Sequence, residues 1–397
     1  MSVVQSIDFE ENRFKVCYSG QLLQGQAKIF FPVDTHVKAV YIKFSGKGFC
    51  KWYNGRRRTS ERLTGSKTYL KETIYLISRS NAGTVLPAGD NNFPFSIQLS
   101  GKLPTSFEGT YGYIRYVASL YIESSVQKIE PLRESFTVIW PLNLNSQISF
   151  RMPVKRRVCA NFNQFCFFFC WKTSNLQVYG RLPVSGYCPG QTMNLKLDVI
   201  NQSDKDVLHV LVQFVKEAIY RSNSGVVKCE RVVVAERRSE GCRANRIGIR
   251  SAKVNIVVPS LPATNFSTEN ICRCNYFLRV TAITGFCHQN PQFTMPIIIG
   301  TYPITDELYS ASVSGVITEQ PSRSDVAESS VPRTPLRRYP SNISVNSTDL
   351  PPYPDADPPT YEEAMRTVTT NDDFVPKYPT YKRGTKYANQ DFNNWRD

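Results

Sequence analysis

Ile114-Arg115-Tyr116-Val117-Ala118-Ser119-Leu120-Tyr121-Ile122 carries an apolar side chain at every even position. Successive side chains of a strand point to opposite faces, so this period of two predicts a strand with one buried face. The alternation recurs at the odd positions of Phe93-Pro94-Phe95-Ser96-Ile97-Gln98-Leu99. It returns in the second half at Met193, Leu195, Leu197 and Val199, then at Leu208, Val210, Val212 and Phe214. Turn signals fall between these runs at Ser19-Gly20, Ser45-Gly46, Pro87-Ala88-Gly89, Ser185-Gly186 and Pro189-Gly190. No long stretch sustains a 3.6-residue period. The sequence therefore predicts an all-β protein of packed sandwiches with at most a short helix.

The chain of 397 residues is long enough for two domains and a tail. Four segments are expected: a first sandwich over residues 1–150, a connector over 151–174, a second sandwich over 175–302 and a tail over 303–397. The connector is basic and rich in Cys and Phe. From residue 303 onward the chain holds 12 of its 25 prolines, with many Ser, Thr and Asp. Such a composition buries too little apolar surface to offset chain entropy, which predicts disorder.

Charge divides along the same line. The tail holds 10 Lys/Arg and 14 Asp/Glu, which leaves the preceding 302 residues with 38 basic and 19 acidic side chains. A surplus of that size favours an anionic partner. Basic runs at Arg56, Arg57 and Arg58, and at Lys155, Arg156 and Arg157, read either as patches for a membrane or an acidic cargo or as a solvated surface. Arg237-Arg238 and then Arg243, Arg246 and Arg250 add further patches. No nucleic-acid-binding module accompanies the charge, so nucleic acid is not an expected partner. No basic-then-apolar leader and no apolar run near ~20 residues is present, and eleven cysteines form an odd set. These features predict a cytoplasmic protein with reduced thiols.

Two short motifs stand out in the tail. Pro358-Pro359-Thr360-Tyr361 is a PPxY sequence, and Leu350-Pro351-Pro352-Tyr353 fits the LPxY variant. Paired prolines hold the chain near polyproline II, so little entropy is lost when it docks in the aromatic groove of a WW domain. With three residues per turn, the tyrosine returns to the side of the first proline and enters a second pocket. Val375-Pro376-Lys377-Tyr378 is a weaker echo and reads as incidental.

Ordered landmarks then make a family visible. They are Tyr18-Ser19-Gly20-Gln21, Leu86-Pro87-Ala88-Gly89, Thr105-Ser106-Phe107-Glu108-Gly109 and Tyr111-Gly112-Tyr113-Ile114-Arg115-Tyr116. Gly186-Tyr187-Cys188-Pro189-Gly190-Gln191, Asn201-Gln202-Ser203 and Pro296-Ile297-Ile298-Ile299-Gly300-Thr301 continue the series. In this order and with a PPxY tail, the chain resembles the arrestin domain-containing proteins, or α-arrestins. The resemblance implies two arrestin-like, immunoglobulin-type β-sandwiches in tandem, followed by the disordered Pro-rich tail. It also implies a non-catalytic adaptor that links WW-domain HECT ubiquitin ligases to membrane receptors or transporters, at the plasma membrane and endosomes. The alternatives are a ubiquitin-independent structural scaffold in endosomal protein transport and a thioredoxin-binding redox or metabolic regulator. Gly and Pro in these landmarks serve tight turns, which explains them without a direct part in partner binding.

Other chemistry has less support. His36, His209 and His288 lie in no nucleophile or zinc motif, and no cofactor is expected. Cys272-x-Cys274 and Cys166-x-x-x-Cys170 lack a matching second pair for a metal and read as core or connector thiols. The second pair, beside basic residues, is also open to reversible palmitoylation. Cys242, in Ser239-Glu240-Gly241-Cys242-Arg243, reads as a loop thiol whose arginine lowers its pKa, or as an unreactive one. One branch of the resembling family binds thioredoxin through a loop cysteine, which makes thioredoxin an expected partner in the first case.

Overall fold

In the computed structural model the described residues are 3–10, 14–55, 61–124, 128–163, 173–285, 290–305 and 374–381. Strands β1 (Val4–Phe9), β2 (Val16–Tyr18), β3 (Leu22–Phe31), β4 (Thr35–Asn54), β5 (Glu61–Ile77), β6 (Thr84–Leu86), β7 (Gly89–Gln98), β8 (Phe107–Gly109), β9 (Gly112–Ser124) and β10 (Leu132–Ile139) build the first sandwich. One sheet runs β1-β3-β7 and the facing sheet β2-β10-β9-β4-β5, with β6 on β4 and β8 on β9. In β9 the even side chains Ile114, Tyr116, Ala118 and Leu120 are buried, as the alternation predicts. Phe44 and Tyr116 close on Phe136 at 6.3 and 5.9 Å between ring centres. Each such side chain contributes about 1.5–3 kcal/mol on leaving water.

A single helical turn, α1 (Ile148–Arg151), precedes the second sandwich. Its strands are β11 (Val154–Asn163), β12 (Thr173–Leu182), β13 (Gly186–Tyr187), β14 (Thr192–Asn201), β15 (Val207–Arg221), β16 (Val227–Cys242), β17 (Arg250–Val257), β18 (Cys272–Ile283) and β19 (Gln292–Ile299). They form sheets β11-β12-β14-β17 and β13-β19-β18-β15-β16. Apart from β11, this is the path of the first sandwich repeated.

The repetition reaches individual hydrogen bonds. Ser106 N donates to Val138 O while Ser106 Oγ accepts from Val138 N, at 2.7 and 2.9 Å. Thr264 makes the same exchange with Ile299, both bonds at 2.8 Å. Beside each corner a buried tyrosine hydroxyl donates to a proline carbonyl at 2.7 Å, Tyr116 to Pro104 and Tyr276 to Pro262. Two turns match as well. Gln21 Oε1 accepts from Tyr18 N at 2.9 Å, and Gln191 Oε1 accepts from Cys188 N at 2.8 Å. The intervening Gly20 and Gly190 hold φ of 87° and 90°, a region that side chains with a Cβ rarely adopt.

Two expectations need correction. Residues 154–163, placed in the connector, are not part of one, because β11 pairs with β12 from Val154↔Leu182 to Asn163↔Thr173 and belongs to the second sandwich. Three consecutive basic residues hide its apolar period. They are tolerated because β11 is an outermost strand, where exposed charges also discourage pairing with other chains. The tail is not uniformly without structure either, since residues 374–381 pack against the sandwiches. Residues 306–373 and 382–397 of the tail, and Cys166 and Cys170, lie outside the described residues. No described helix is long and apolar enough to cross a membrane.

Candidate docking surfaces at the domain seam

The two sandwiches meet where the turn between β8 and β9 faces the β15–β16 hairpin. Gly109 is glycine for lack of room: a Cβ there would lie 2.2 Å from the Tyr220 hydroxyl. Tyr220 packs edge-on against Tyr111 at 5.5 Å and tilted against Phe107 at 6.0 Å. Glu230 ties the contact, accepting from Tyr220 Oη at 2.9 Å and from Thr110 Oγ1 at 2.6 Å. Burial first, and the Glu230 charge second, push the Tyr220 phenol far above its ordinary range, so it stays a donor. Lys216 and Lys228 sit over Phe107 and Tyr111, each at 5.1 Å.

A second group of contacts lies beside it. Thr64 O accepts from Asn223 N, and Asn223 Oδ1 accepts from Ser66 N, at 2.9 and 3.0 Å. Tyr69 Oη accepts from Ile271 N at 3.0 Å, and burial pushes that phenol up to about 12, against the lowering effect of this bond. Behind the sandwiches, Leu142 and Thr301 exchange two bonds, Leu142 N to Thr301 Oγ1 at 2.8 Å and Thr301 N to Leu142 O at 2.9 Å. Both the linker and the exit of β19 are thereby fixed.

Residues 374–381 cross this seam. Lys377 N donates to Thr137 Oγ1 at 3.1 Å and Tyr378 Oη to Ser106 O at 2.9 Å, both on the first sandwich. Ser260 Oγ donates to Tyr378 O at 2.9 Å, Tyr381 N to Pro189 O at 2.9 Å and Tyr381 Oη to Thr301 O at 2.8 Å, all on the second. Pro376 and Tyr381 are buried, while Tyr378 stays partly exposed and sends only its hydroxyl inside. Burial, with Cys274 and Glu108 nearby, holds that phenol well above its ordinary range. The segment is a strap joined to both domains.

Two family models match the chain in the order of its sandwiches. The model for the arrestin (or S-antigen) N-terminal domain covers residues 5–145, and that for the C-terminal domain covers 172–304. This chain is an α-arrestin. It is similar to mouse arrestin domain-containing protein 1, 26% identical over 60% of this chain and 51% of the relative. The human protein of that name is 25% identical over 77% of this chain and 66% of the relative. Arrestin domain-containing protein 17 of Caenorhabditis elegans is 24% identical over 75% and 71%. The α-arrestin chain thus spans about half to two thirds of the mammalian relatives it matches.

The residues singled out from the sequence fall in different places on the α-arrestin frame. The PPxY residues Pro358, Pro359 and Tyr361, the LPxY residues Leu350, Pro351 and Tyr353, and Arg56, Arg57 and Arg58 lie outside the described residues. Lys155, Arg156 and Arg157 are exposed along β11, and no described carboxylate pairs with them. Cys242 lies not in a loop but at the end of β16, opposite Val207, and is only 3% exposed, in keeping with the unreactive of its two readings. Burial raises its thiol pKa, Arg246 opposes this, and Asp206 adds to it. A low-pKa loop thiol is therefore not what the fold provides. Cys272 and Cys274 are buried core thiols. The seam and the strap were missed by sequence reasoning; the signal for the strap was the close repeat of Pro-x-Tyr in Pro376-Lys377-Tyr378-Pro379-Thr380-Tyr381.

Proposed function

We propose that this chain is a non-catalytic adaptor that brings WW-domain HECT ubiquitin ligases to membrane receptors or transporters, for ubiquitination, endocytosis and endosomal sorting. The observation that carries this reading is the pair Leu350-Pro351-Pro352-Tyr353 and Pro358-Pro359-Thr360-Tyr361 on the tail of an arrestin-domain pair. The tail faces the ligase and the sandwiches face the cargo, and the protein acts at the plasma membrane and endosomes. Replacing Tyr353 and Tyr361 together by alanine in cells is expected to abolish ubiquitination of the cargo that co-purifies with the wild type. Unchanged ubiquitination in the double variant would instead favour a scaffold that works without ubiquitin. The thioredoxin-binding reading loses its basis with the burial of Cys242.

Membrane approach is assigned to the exposed basic edge. Each Lys or Arg near an anionic leaflet contributes about 1 kcal/mol, so three act together on a patch the size of β11. Changing Lys155, Arg156 and Arg157 to glutamate is expected to lower binding to phosphatidylserine vesicles by at least about tenfold. These side chains are exposed, so folding is spared. Vesicle binding equal to wild type at low salt would remove this patch from the proposal.

A further inference from the structure

Val375-Pro376-Lys377-Tyr378 has the same grammar as Leu350-Pro351-Pro352-Tyr353: an aliphatic residue, a proline, any residue and a tyrosine. Chance resemblance would leave its proline and tyrosine without a common role. In the structure they share one, because Pro376 is buried against the sandwiches and the Tyr378 hydroxyl is held by Ser106 O. These are the two side chains that a WW domain would have to take into its own aromatic pockets. The same proline and tyrosine cannot occupy both places.

The seam is shaped for this segment. Gly190, in the turn that receives it, has Tyr381 O 2.1 Å from where a Cβ would stand. The five hydrogen bonds are split between the two domains, two on the first and three on the second. Against these bonds and the burial of Pro376 and Tyr381 stands the entropy of ordering eight residues of a Pro-rich tail, so docking rests on a small difference between opposing terms. Tyr361 is 14 residues before Val375. A tandem WW partner already bound at the upstream motifs would present its spare domain to residues 375–378 at high effective concentration.

We infer that Val375-Pro376-Lys377-Tyr378 is a third WW-docking motif, kept latent in the groove between the two sandwiches and exposed when the strap lifts. This inference rests on the reading that the tail binds WW domains, and its test separates the two. The full chain carrying Tyr353→Ala and Tyr361→Ala retains only the third motif. Thr137→Val and Ser260→Ala are then added to release the strap without altering the motif. Binding of an isolated WW domain from a HECT ligase is measured by titration. Hydrogen exchange reports whether the strap is docked: both the Lys377 and Tyr381 amides serve in the wild type, and only Tyr381, whose acceptor Pro189 O is left in place, serves in the release variant.

Slow exchange of both amides is expected with the strap in place. Release should speed exchange of the Tyr381 amide and raise WW affinity about tenfold, and Tyr378→Ala should abolish the gain. Should protection persist in the release variant, Tyr381→Ala, outside the motif, removes a buried ring and its bond to Thr301 O and is read in the same way. A released chain that binds WW no better than its Tyr378→Ala version overturns the inference. So do amides that exchange freely in the wild type. If the chain with Tyr353 and Tyr361 intact also fails to bind, the adaptor reading falls with it; if that chain binds, only the third motif is lost.

Discussion

Asn201→Ala lowers the stability of the second sandwich by about 3 kcal/mol, read as a fall of roughly 10 °C in its melting temperature. The side chain is fully buried and works as a hub. Its Nδ2 donates to Lys205 O, Cys242 O and Arg243 O at 2.8, 3.1 and 3.0 Å. Its Oδ1 accepts from Ser203 N and Ser203 Oγ at 3.2 and 2.6 Å. Alanine leaves these groups without their partner, and each buried orphan costs about 1–3 kcal/mol. Solvent reaches part of the loop, which keeps the total near the cost of one or two orphans rather than five. Gln202→Ala, at the exposed neighbouring position, is the control and stays within about 0.5 kcal/mol of wild type. Calorimetry of both variants decides it; equal melting for Asn201→Ala and Gln202→Ala would show that the loop is held by its backbone alone.

The sequence made the strands legible because burial on one face imposes a strict period of two. It made the two-domain order legible through turn chemistry at Gly20 and Gly190, whose positive φ values demand glycine. Gly109 carries the same letter for a different reason. Its lack of a side chain admits Tyr220 from 111 positions further on, a contact that no local pattern encodes. The internal duplication was hidden because the repeated parts are backbone bonds. Ser106 in one corner and Thr264 in the other need only a hydroxyl, and the surrounding residues are free to diverge. Strand β11 escaped notice since an outermost strand has no need of alternation. The strap was lost to averaging: a composition argument over 95 residues cannot see eight that dock through two tyrosines.

For the ligase-facing motifs, a tandem WW protein is expected to bind the tail about 10²-fold tighter than either of its WW domains alone. Leu350 and Pro358 start eight residues apart, about 25 Å in polyproline II, and a WW domain is roughly 20 Å across. Eight residues at about 120° each also turn the two motifs to different faces, so two domains fit side by side with little to spare. Binding of the second is then intramolecular, at the millimolar effective concentration of a short tether. Tyr353→Ala or Tyr361→Ala alone should reduce the tandem protein to the affinity of a single domain, and the double variant should remove binding through these motifs. Geometry supplies a sharper check. Deleting Asp355, Ala356 and Asp357 brings the motif starts to about 15 Å, less than one domain width, so the tandem advantage should vanish while single-domain binding persists. Titrations of single and tandem WW proteins against the wild-type, substituted and shortened tails measure this; equal single and tandem affinities for the unmodified tail would sink the bivalent reading.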